Sequence, residues 1–340
     1  MRTALVTGAG GFIGHHLVKR LKADGYWVHG ADVKYPEYEQ TYADEFHKVD
    51  LRDMKECVRV TSGIDDVYQL AADMGGIGYI TAHLAGIARN NVLINVNMLE
   101  ASKIQQVRRY MYTSSACVYP QYLQEQPGVV PLQEHQALPA DPEPGYGWEK
   151  LFSEQMCEYY HRDFDLDIRI VRFHNIFGPQ GSYFGGKEKS PAAICRKVAL
   201  AKDGGDLIIW GNGQQTRSYC YIDDCIEGIR RVMESGYKKP LNLGTDELIS
   251  VDGLADLVCS IAGKKLTKRH DPSKPQGVMG RNSDNTKLRE VLGWVPGTPL
   301  AAGLKTTYEW IEKQVRMGAE NSRCKPEPPV GTKLQRTQPE

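Results

Sequence analysis

Apolar positions fall into two alternating spacings along the first half of the chain. Thr3 to Thr7 is a short β-prone run that breaks at Gly8, after which Phe12, Ile13, Leu17 and Leu21 recur at helical spacing. This predicts a strand, a glycine loop and a helix. Trp27 to Ala31 reads as a second strand, Val67 to Ala71 as another, Asn91 to Ile104 as a helix and Arg109 to Thr113 as a further strand. A helix from Gly147 to about Arg162 and a strand at Asp167 to Arg172 continue the alternation. Strands separated by helices are joined by right-handed crossovers, so the expected fold is α/β, a doubly wound parallel sheet.

Two stretches interrupt the rhythm. Tyr119 to Tyr146 is rich in Pro, Gln, Glu and Gly and reads as a long surface loop, and long loops in compact domains are usually functional. Gly178 to Ser190 is glycine-rich and marks the boundary to a smaller α/β domain. Ser218 to Met233 reads as strand then helix returning to the sheet, so the two domains are expected to interleave. The predicted division is 1–177 with 216–245 returning to it, against 178–215 and 246–316. From Met317 the residues of 317–340 are polar and include Pro, and a disordered tail is expected. No internal repeat is visible.

Composition narrows the classes. At 340 residues the chain suits two domains of roughly 150 residues each. With 41% apolar and 25% charged residues it is an ordinary globular chain, and no segment approaches the ~18 uncharged apolar residues of a membrane span. Lys plus Arg and Asp plus Glu both number 42, which leaves no overall field to gather nucleic acid or an anionic membrane. Any anion must be bound locally. Eight scattered cysteines, without C-x-x-C pairs, read as reduced thiols and suggest neither a metal site nor a disulfide scaffold. MRTALVTGAGG leaves no room for a secretion signal before the first strand, so a cytoplasmic location is expected.

Gly8, Gly11 and Gly14 give G-x-x-G-x-x-G between strand and helix, with Phe12 and Ile13 opening the helix. Residues without Cβ let the backbone approach a pyrophosphate, whose charge the free N–H groups of the helix start stabilise. A tight turn with close helix packing would need the same glycines. Asp32, however, ends the second strand 24 residues after Gly8, near the ~20 at which an acid meets the adenosine ribose. An acid there repels a 2′-phosphate, favouring NAD over NADP. Asp50 closes a third strand-like segment and either faces the adenine amino group or is a solvated turn acid.

Tyr146 and Lys150 stand four apart in YGWEK and share a helix face. A neighbouring ammonium stabilises a phenolate and brings tyrosine, ordinarily near ~10, towards usable base strength. Ser114 and Ser115 at the end of an earlier strand add a hydroxyl for a substrate oxygen. Ser, Tyr and Lys beside a nicotinamide suit hydride transfer at an alcohol carbon.

GAGGFIG, Asp32, SSACVYP, YGWEK and RSYCYIDD together resemble the extended short-chain dehydrogenase/reductase family, in the branch acting on nucleotide-diphosphate sugars. AADMGGIGYI, SSACVYP, RFHNIFGP, GGKEKSPAAICRK, WGNGQQTRS and GRNSDN are similar, more narrowly, to the GDP-mannose 3,5-epimerase group, over about Arg2 to Ile311. The resemblance implies a Rossmann domain holding NAD, a smaller domain holding a GDP-sugar, and a homodimer. It implies that Tyr146 takes the proton of the carbon-4 hydroxyl while NAD takes the hydride, which acidifies carbons 3 and 5. It implies Cys117 and Lys189 as the acid/base pair that inverts those carbons. Cys117 would otherwise read as a buried structural thiol, and Lys189 as a solvated loop charge like Lys187.

The same resemblance implies substrate contacts from the Gly75–Gly76 turn, Asn175 on the diphosphate, and Arg217 and Arg281 on its oxygens. Lys197 would extend that surface, although each arginine could instead serve a structural ion pair. A GDP-fucose synthase-like epimerase-reductase is the nearest rival; it would use NADPH and a histidine, against Asp32 and Lys189. A 4,6-dehydratase would carry acids where Ala116 and Cys117 stand. A cofactor-binding protein without activity would not be expected to keep Ser115, Cys117, Tyr146, Lys150 and Lys189 together.

Overall fold

The computed structural model describes residues 1–320. In chain order the first half runs β1 (Thr3–Thr7), α1 (Phe12–Ala23), β2 (Trp27–Asp32), β3 (Glu45–Lys48), α2 (Met54–Thr61), β4 (Asp66–Gln69), α3 (Ile77–Ala82), α4 (Leu84–Ile104), β5 (Arg109–Ser115), α5 (Tyr146–Phe164), β6 (Ile168–Phe173) and β7 (Ile176–Phe177). The second half runs α6 (Ser190–Leu200), β8 (Asp206–Trp210), β9 (Thr216–Ser218), β10 (Cys220–Tyr221), α7 (Ile222–Glu234), β11 (Pro240–Leu243), β12 (Leu248–Ser250), α8 (Val251–Ala262), β13 (Thr267–Asp271), β14 (Gly280–Arg281), α9 (Thr286–Leu292) and α10 (Leu300–Glu320).

Seven strands form one sheet in the order β11-β6-β5-β4-β1-β2-β3, every neighbouring pair parallel. Successive residues of a strand point to opposite faces, and the core divides accordingly. Ala4, Val6 and Met111 pack with Leu17 and Leu21 of α1 and Ile226 and Ile229 of α7. Leu5, Tyr110 and Tyr112 pack on the other face with Cys57 and Val60 of α2, Met98 and Leu99 of α4 and Cys157 of α5. Both faces are covered, which is why the strands read as nearly continuous apolar runs. The order reverses between β1 and β4, so ligands are expected outside the carboxyl ends of these strands. Three smaller sheets, β10-β7, β12-β9-β14 and β13-β8, lie beyond that end with α6, α8 and α10 packed together.

Three sequence expectations need correction. Helix α4 begins at Leu84, seven residues before Asn91, because Ile87 is buried beside Cys117 and Tyr146 and adds two turns to the apolar face. Tyr119 to Tyr146 is not simply a surface loop: Tyr119, Leu132 and Ala137 are buried against Leu151 of α5. Side chains satisfy that stretch where no ladder can, Gln124 donating to the Tyr119 and Pro120 carbonyls and Asn242 to that of Leu132. Residues Met317 to Glu320 complete α10, and the remainder of the expected disordered tail lies outside the described residues. Among the described residues no helix is long and apolar enough to cross a membrane, and the seven described cysteines are all free.

Candidate active site

Two ligand-sized features meet at the carboxyl end of the sheet. At the β1–α1 junction Gly8 takes φ +70°, a left-handed conformation that favours glycine, and its carbonyl accepts from Gly11 N at 3.0 Å. A Cβ on Gly14 would overlap the Gly8 carbonyl, so this glycine brings α1 against the turn. Gly11 caps α1 without any side-chain acceptor, leaving the first helical N–H groups available to an anion. Phe12 and Ile13 open that helix, half-buried against the core. Asp32 at the end of β2 accepts from Gly10 N at 2.9 Å and Lys34 N at 3.1 Å. Burial lifts its carboxyl above the ordinary range, and these amides oppose that. Gly10 was not singled out by the glycine spacing, yet a Cβ there would overlap the Lys34 carbonyl. Asp50 stands two residues beyond β3 and chelates Arg52 at 2.5 Å, both side chains 43% exposed, the geometry of a solvated turn acid.

Next to this cradle, β5 delivers Ser115 and α5 opens at Tyr146. The Ser115 hydroxyl lies within reach of the Tyr146 phenol and favours its ionised form, and its Oγ accepts from Cys117 N at 3.2 Å. Lys150 lies one helical turn on, its Nζ donating to the Thr113 carbonyl at 3.1 Å and standing 5.5 Å from the Tyr146 ring centre. Beneath it Glu149 is buried, its Oε1 3.9 Å from Lys150 Nζ. Asn91 donates to Glu149 Oε1 at 2.8 Å and Asn95 to Oε2 at 3.2 Å, so the buried carboxylate is fully bonded from α4. Burial pulls the Lys150 ammonium down while Glu149 holds it up.

The Tyr146 phenol is held well above its usual range by burial, then by Glu149, Cys117 and Glu143, with the Ser115 hydroxyl opposing them. A lysine one turn away does not by itself make the phenolate. Glu149, Asn91 and Asn95 carry no motif of their own. Their signal is a polar residue on an otherwise buried helix face, which becomes readable only once α4 and α5 are known to pack.

Cys117 sits one short turn beyond Ser115 and is buried, 8% exposed. Its Sγ accepts from Nη1 of Arg281, in β14, at 3.4 Å, and Arg281 Nε donates to Gln124 Oε1 at 2.6 Å. Glu143 completes the group: its N–H donates to the Cys117 carbonyl at 3.1 Å and its carboxylate lies 3.8 Å from Arg281 Nη2. Burial and Glu143 push the thiol up to about 11, against the pull of Arg281. Lys189 caps α6 and comes within electrostatic reach of Cys117; burial draws its ammonium down, assisted by Arg281 and opposed by Cys117 and Cys225. Arg217 in β9 donates to the carbonyls of Thr216 at 2.7 Å and Val278 at 2.6 Å. Burial, then Arg281, brings it down to about 10. Buried Arg281 and half-buried Arg217, whose charge Arg281 disfavours while Glu143 favours that of both, form a receptor for an anion.

The Gly75–Gly76 turn approaches the same centre. Gly76 N donates to the Lys187 carbonyl at 3.0 Å and a Cβ on Gly76 would overlap the Glu188 carbonyl, one residue before Lys189. A Cβ on Gly75 would press on the Tyr79 side chain, 2.9 Å from its Cβ and 3.0 Å from the ring. Lys187 pairs with Asp73 at 3.4 Å and covers the Tyr79 ring, which separates its role from that of Lys189. Asn175 takes φ +49° and donates to the Ser218 carbonyl at 2.9 Å. Lys197 of α6 donates to the Ile208 carbonyl at 2.9 Å and covers the Trp210 ring. Trp148 is exposed on the outer side of α5, and Tyr183 rests against Tyr38 and Trp310.

The geometry is therefore a phosphate cradle, a Ser–Tyr–Lys group, and a thiol and amine beside two arginines. Residues 4–244 match the model of the NAD dependent epimerase/dehydratase family. The chain is 47% identical over 312 residues to GDP-mannose 3,5-epimerase of Arabidopsis thaliana, covering 91% of this chain and 82% of that protein. It is 28% identical to GDP-L-fucose synthase of Escherichia coli (strain K12), over 80% of this chain and 88% of that one. Among solved structures it resembles UDP-glucuronic acid 4-epimerase from Bacillus cereus in complex with UDP-glucuronic acid and NAD, at 28% identity and a TM-score of 0.79. That similarity covers 92% of this chain and 99% of the other.

Proposed function

Because this chain belongs to the NAD dependent epimerase/dehydratase family, and within it to the GDP-mannose 3,5-epimerases, we propose that it converts GDP-D-mannose to GDP-L-galactose and the singly inverted GDP-L-gulose. The observation that carries the reading is the placement of Cys117 and Lys189 next to the Ser115–Tyr146–Lys150 group. Oxidation at carbon 4 and proton exchange at carbons 3 and 5 need those two sets of groups around one sugar.

NAD is the cofactor, and the Gly8–Gly14 turn, the uncapped start of α1 with Phe12 and Ile13, and Asp32 fit its pyrophosphate and adenosine ribose. Asp50 would serve its adenine only by releasing Arg52. When bound, NAD supplies a cationic ring that takes a hydride from carbon 4, returns it, and favours the phenolate of Tyr146. Tyr146 accepts the proton of the carbon-4 hydroxyl, Ser115 donates to the same oxygen, and Lys150 holds the Tyr146 side positive. The resulting 4-keto sugar has acidic hydrogens at carbons 3 and 5. Cys117 removes each and Lys189 protonates the opposite face. Arg217 and Arg281 bind the diphosphate, with Asn175 and Lys197 on the same side and the Gly75–Gly76 turn against the sugar.

We divide the chain accordingly into a cofactor domain, 1–177 with 216–245, and a substrate domain, 178–215 with 246–316. Trp148, Phe152 and Tyr159 lie exposed along α5 at spacings of one and then two turns, a stripe suited to a homodimer. Free thiols suit a reducing, cytoplasmic compartment. The test is incubation with GDP-mannose in deuterated water without added cofactor, followed by NMR. Deuterium at carbons 3 and 5 with inverted products is expected. Absence of exchange, with NADPH oxidation on a 4-keto-6-deoxy GDP-sugar, would defeat the reading in favour of an epimerase-reductase.

A further inference from the structure

Two inversions with one acid/base pair raise a proton-inventory problem. If Cys117 takes the hydrogen of one carbon and Lys189 protonates the other face, the pair is left as thiol and neutral amine. In the chair form of mannose the hydrogens on carbons 3 and 5 are both axial on the same face. The second inversion therefore needs the same base again, and the two groups cannot simply exchange roles. The thiol must lose its proton and the amine regain one while the keto sugar stays in place.

Few neighbours of Cys117 can receive that proton. Arg281, 3.4 Å away, carries donors only. Ser115 is a hydroxyl engaged with Tyr146 and with Cys117 N. Glu143 is different. Its backbone N–H fixes it to the Cys117 carbonyl at 3.1 Å, its carboxylate shares the Arg281 guanidinium with the thiol and acts on that thiol electrostatically, and its side chain is the more exposed of the two, 13% against 8%. It also leads directly into Gly145, whose φ of +71° turns the chain into Tyr146, so one short segment serves both halves of the chemistry.

We propose that Glu143 resets the acid/base pair between the two inversions by taking the thiol proton of Cys117 and passing it to water. The S–H bond breaks as a carboxyl O–H bond forms; that O–H bond then breaks to give hydronium, and Lys189 regains one proton from water. One proton leaves, one returns, and no oxidant or reductant is involved. Arg281 faces both anions in turn and holds whichever carries the charge. Glu143 acts through Cys117, not on the sugar, so it is a positioning residue. The proposal rests on the epimerase reading above.

The experiment separates the two. With GDP-mannose in deuterated water, wild-type protein that inverts no carbon defeats the epimerase reading, whatever Glu143 does. Given inversion, Glu143→Gln is expected to lower the ratio of doubly to singly inverted product on the order of tenfold or more. Glu143→Ala should show the same deficit, and added formate should restore the ratio. An unchanged ratio in folded, NAD-containing Glu143→Gln would overturn the proposal. Wild-type protein gives a test free of substitutions. Full deuterium at both carbons of the first doubly inverted product is expected from a reset through water, whereas protium carried from carbon 5 to carbon 3 would mean direct transfer from Cys117 to Lys189 and would overturn it.

Discussion

The two halves of the site handle buried charge in opposite ways. Around Lys150 every charge is answered from the main-sheet side: Glu149 by Asn91, Asn95 and Lys150, and Lys150 by the Thr113 carbonyl. Around Cys117, among the described residues, Arg217 bonds only carbonyls and Arg281 has a carboxylate no nearer than 3.8 Å. The first arrangement is complete as folded and fixes geometry. The second carries an excess of positive charge that a diphosphate would neutralise. A site that must hold one geometry but accept and release an anion gains from separating the tasks.

The largest effects should fall where chemistry is lost. Cys117→Ala is expected to reduce deuterium exchange at carbons 3 and 5 by about 10²–10⁴ while NAD remains bound, and Tyr146→Phe to reduce turnover by a similar factor. Normal exchange in Cys117→Ala would remove the thiol from the mechanism. Arg281→Gln comes next: loss of a buried partner for the diphosphate should raise KM for GDP-mannose by about 30-fold or more, equivalent to at least ~2 kcal/mol. If KM is unchanged, the anion receptor has been misidentified.

Glu149→Gln probes the satisfied half. Removing a carboxylate that faces a buried ammonium should cost about 3 kcal/mol of stability by urea unfolding, with little change in KM. The smallest effect is a pH dependence. His174 is buried, bonded to Asn242 at 2.9 Å, and driven down to about 3 by burial from an ordinary 6.5. It stays neutral in the fold, while the unfolded chain takes up a proton below 6.5, so its contribution is complete above that pH and is lost as pH falls towards 3. Moving from pH 7 to 5 should remove about 2 kcal/mol. A stability that rises on acidification would contradict the assignment.

Much of this was legible in the chain. Strand-helix alternation announces the parallel sheet because each element's spacing is set by its own geometry, and the glycine turn and YGWEK announce the cofactor end because they are local in sequence. The Cys117 group is not local. Arg281 lies 164 residues from Cys117, and nothing in the spacing ties them together. Resemblance supplied Arg281 and Lys189; Glu143 had no signal in a stretch read as surface loop. Gly10 and Glu149 were hidden inside motifs whose other members drew the reading. The Tyr146 phenol shows a further limit, since helical spacing places a lysine nearby but does not report how deeply both are buried.

The contact between Gly76 and the 187–188 backbone also restricts how such a site can change over evolutionary time. Residues lining a sugar pocket are usually the first to drift when a new substrate is selected. Position 76 has no such freedom, because any added carbon would push on the Glu188 carbonyl and shift the strand of chain that carries Lys189. A library randomised at 74–78 and selected for other GDP-sugars should therefore return glycine at 76 in every active clone, with diversity at its neighbours. New specificity in this scaffold would have to arise around that invariant point.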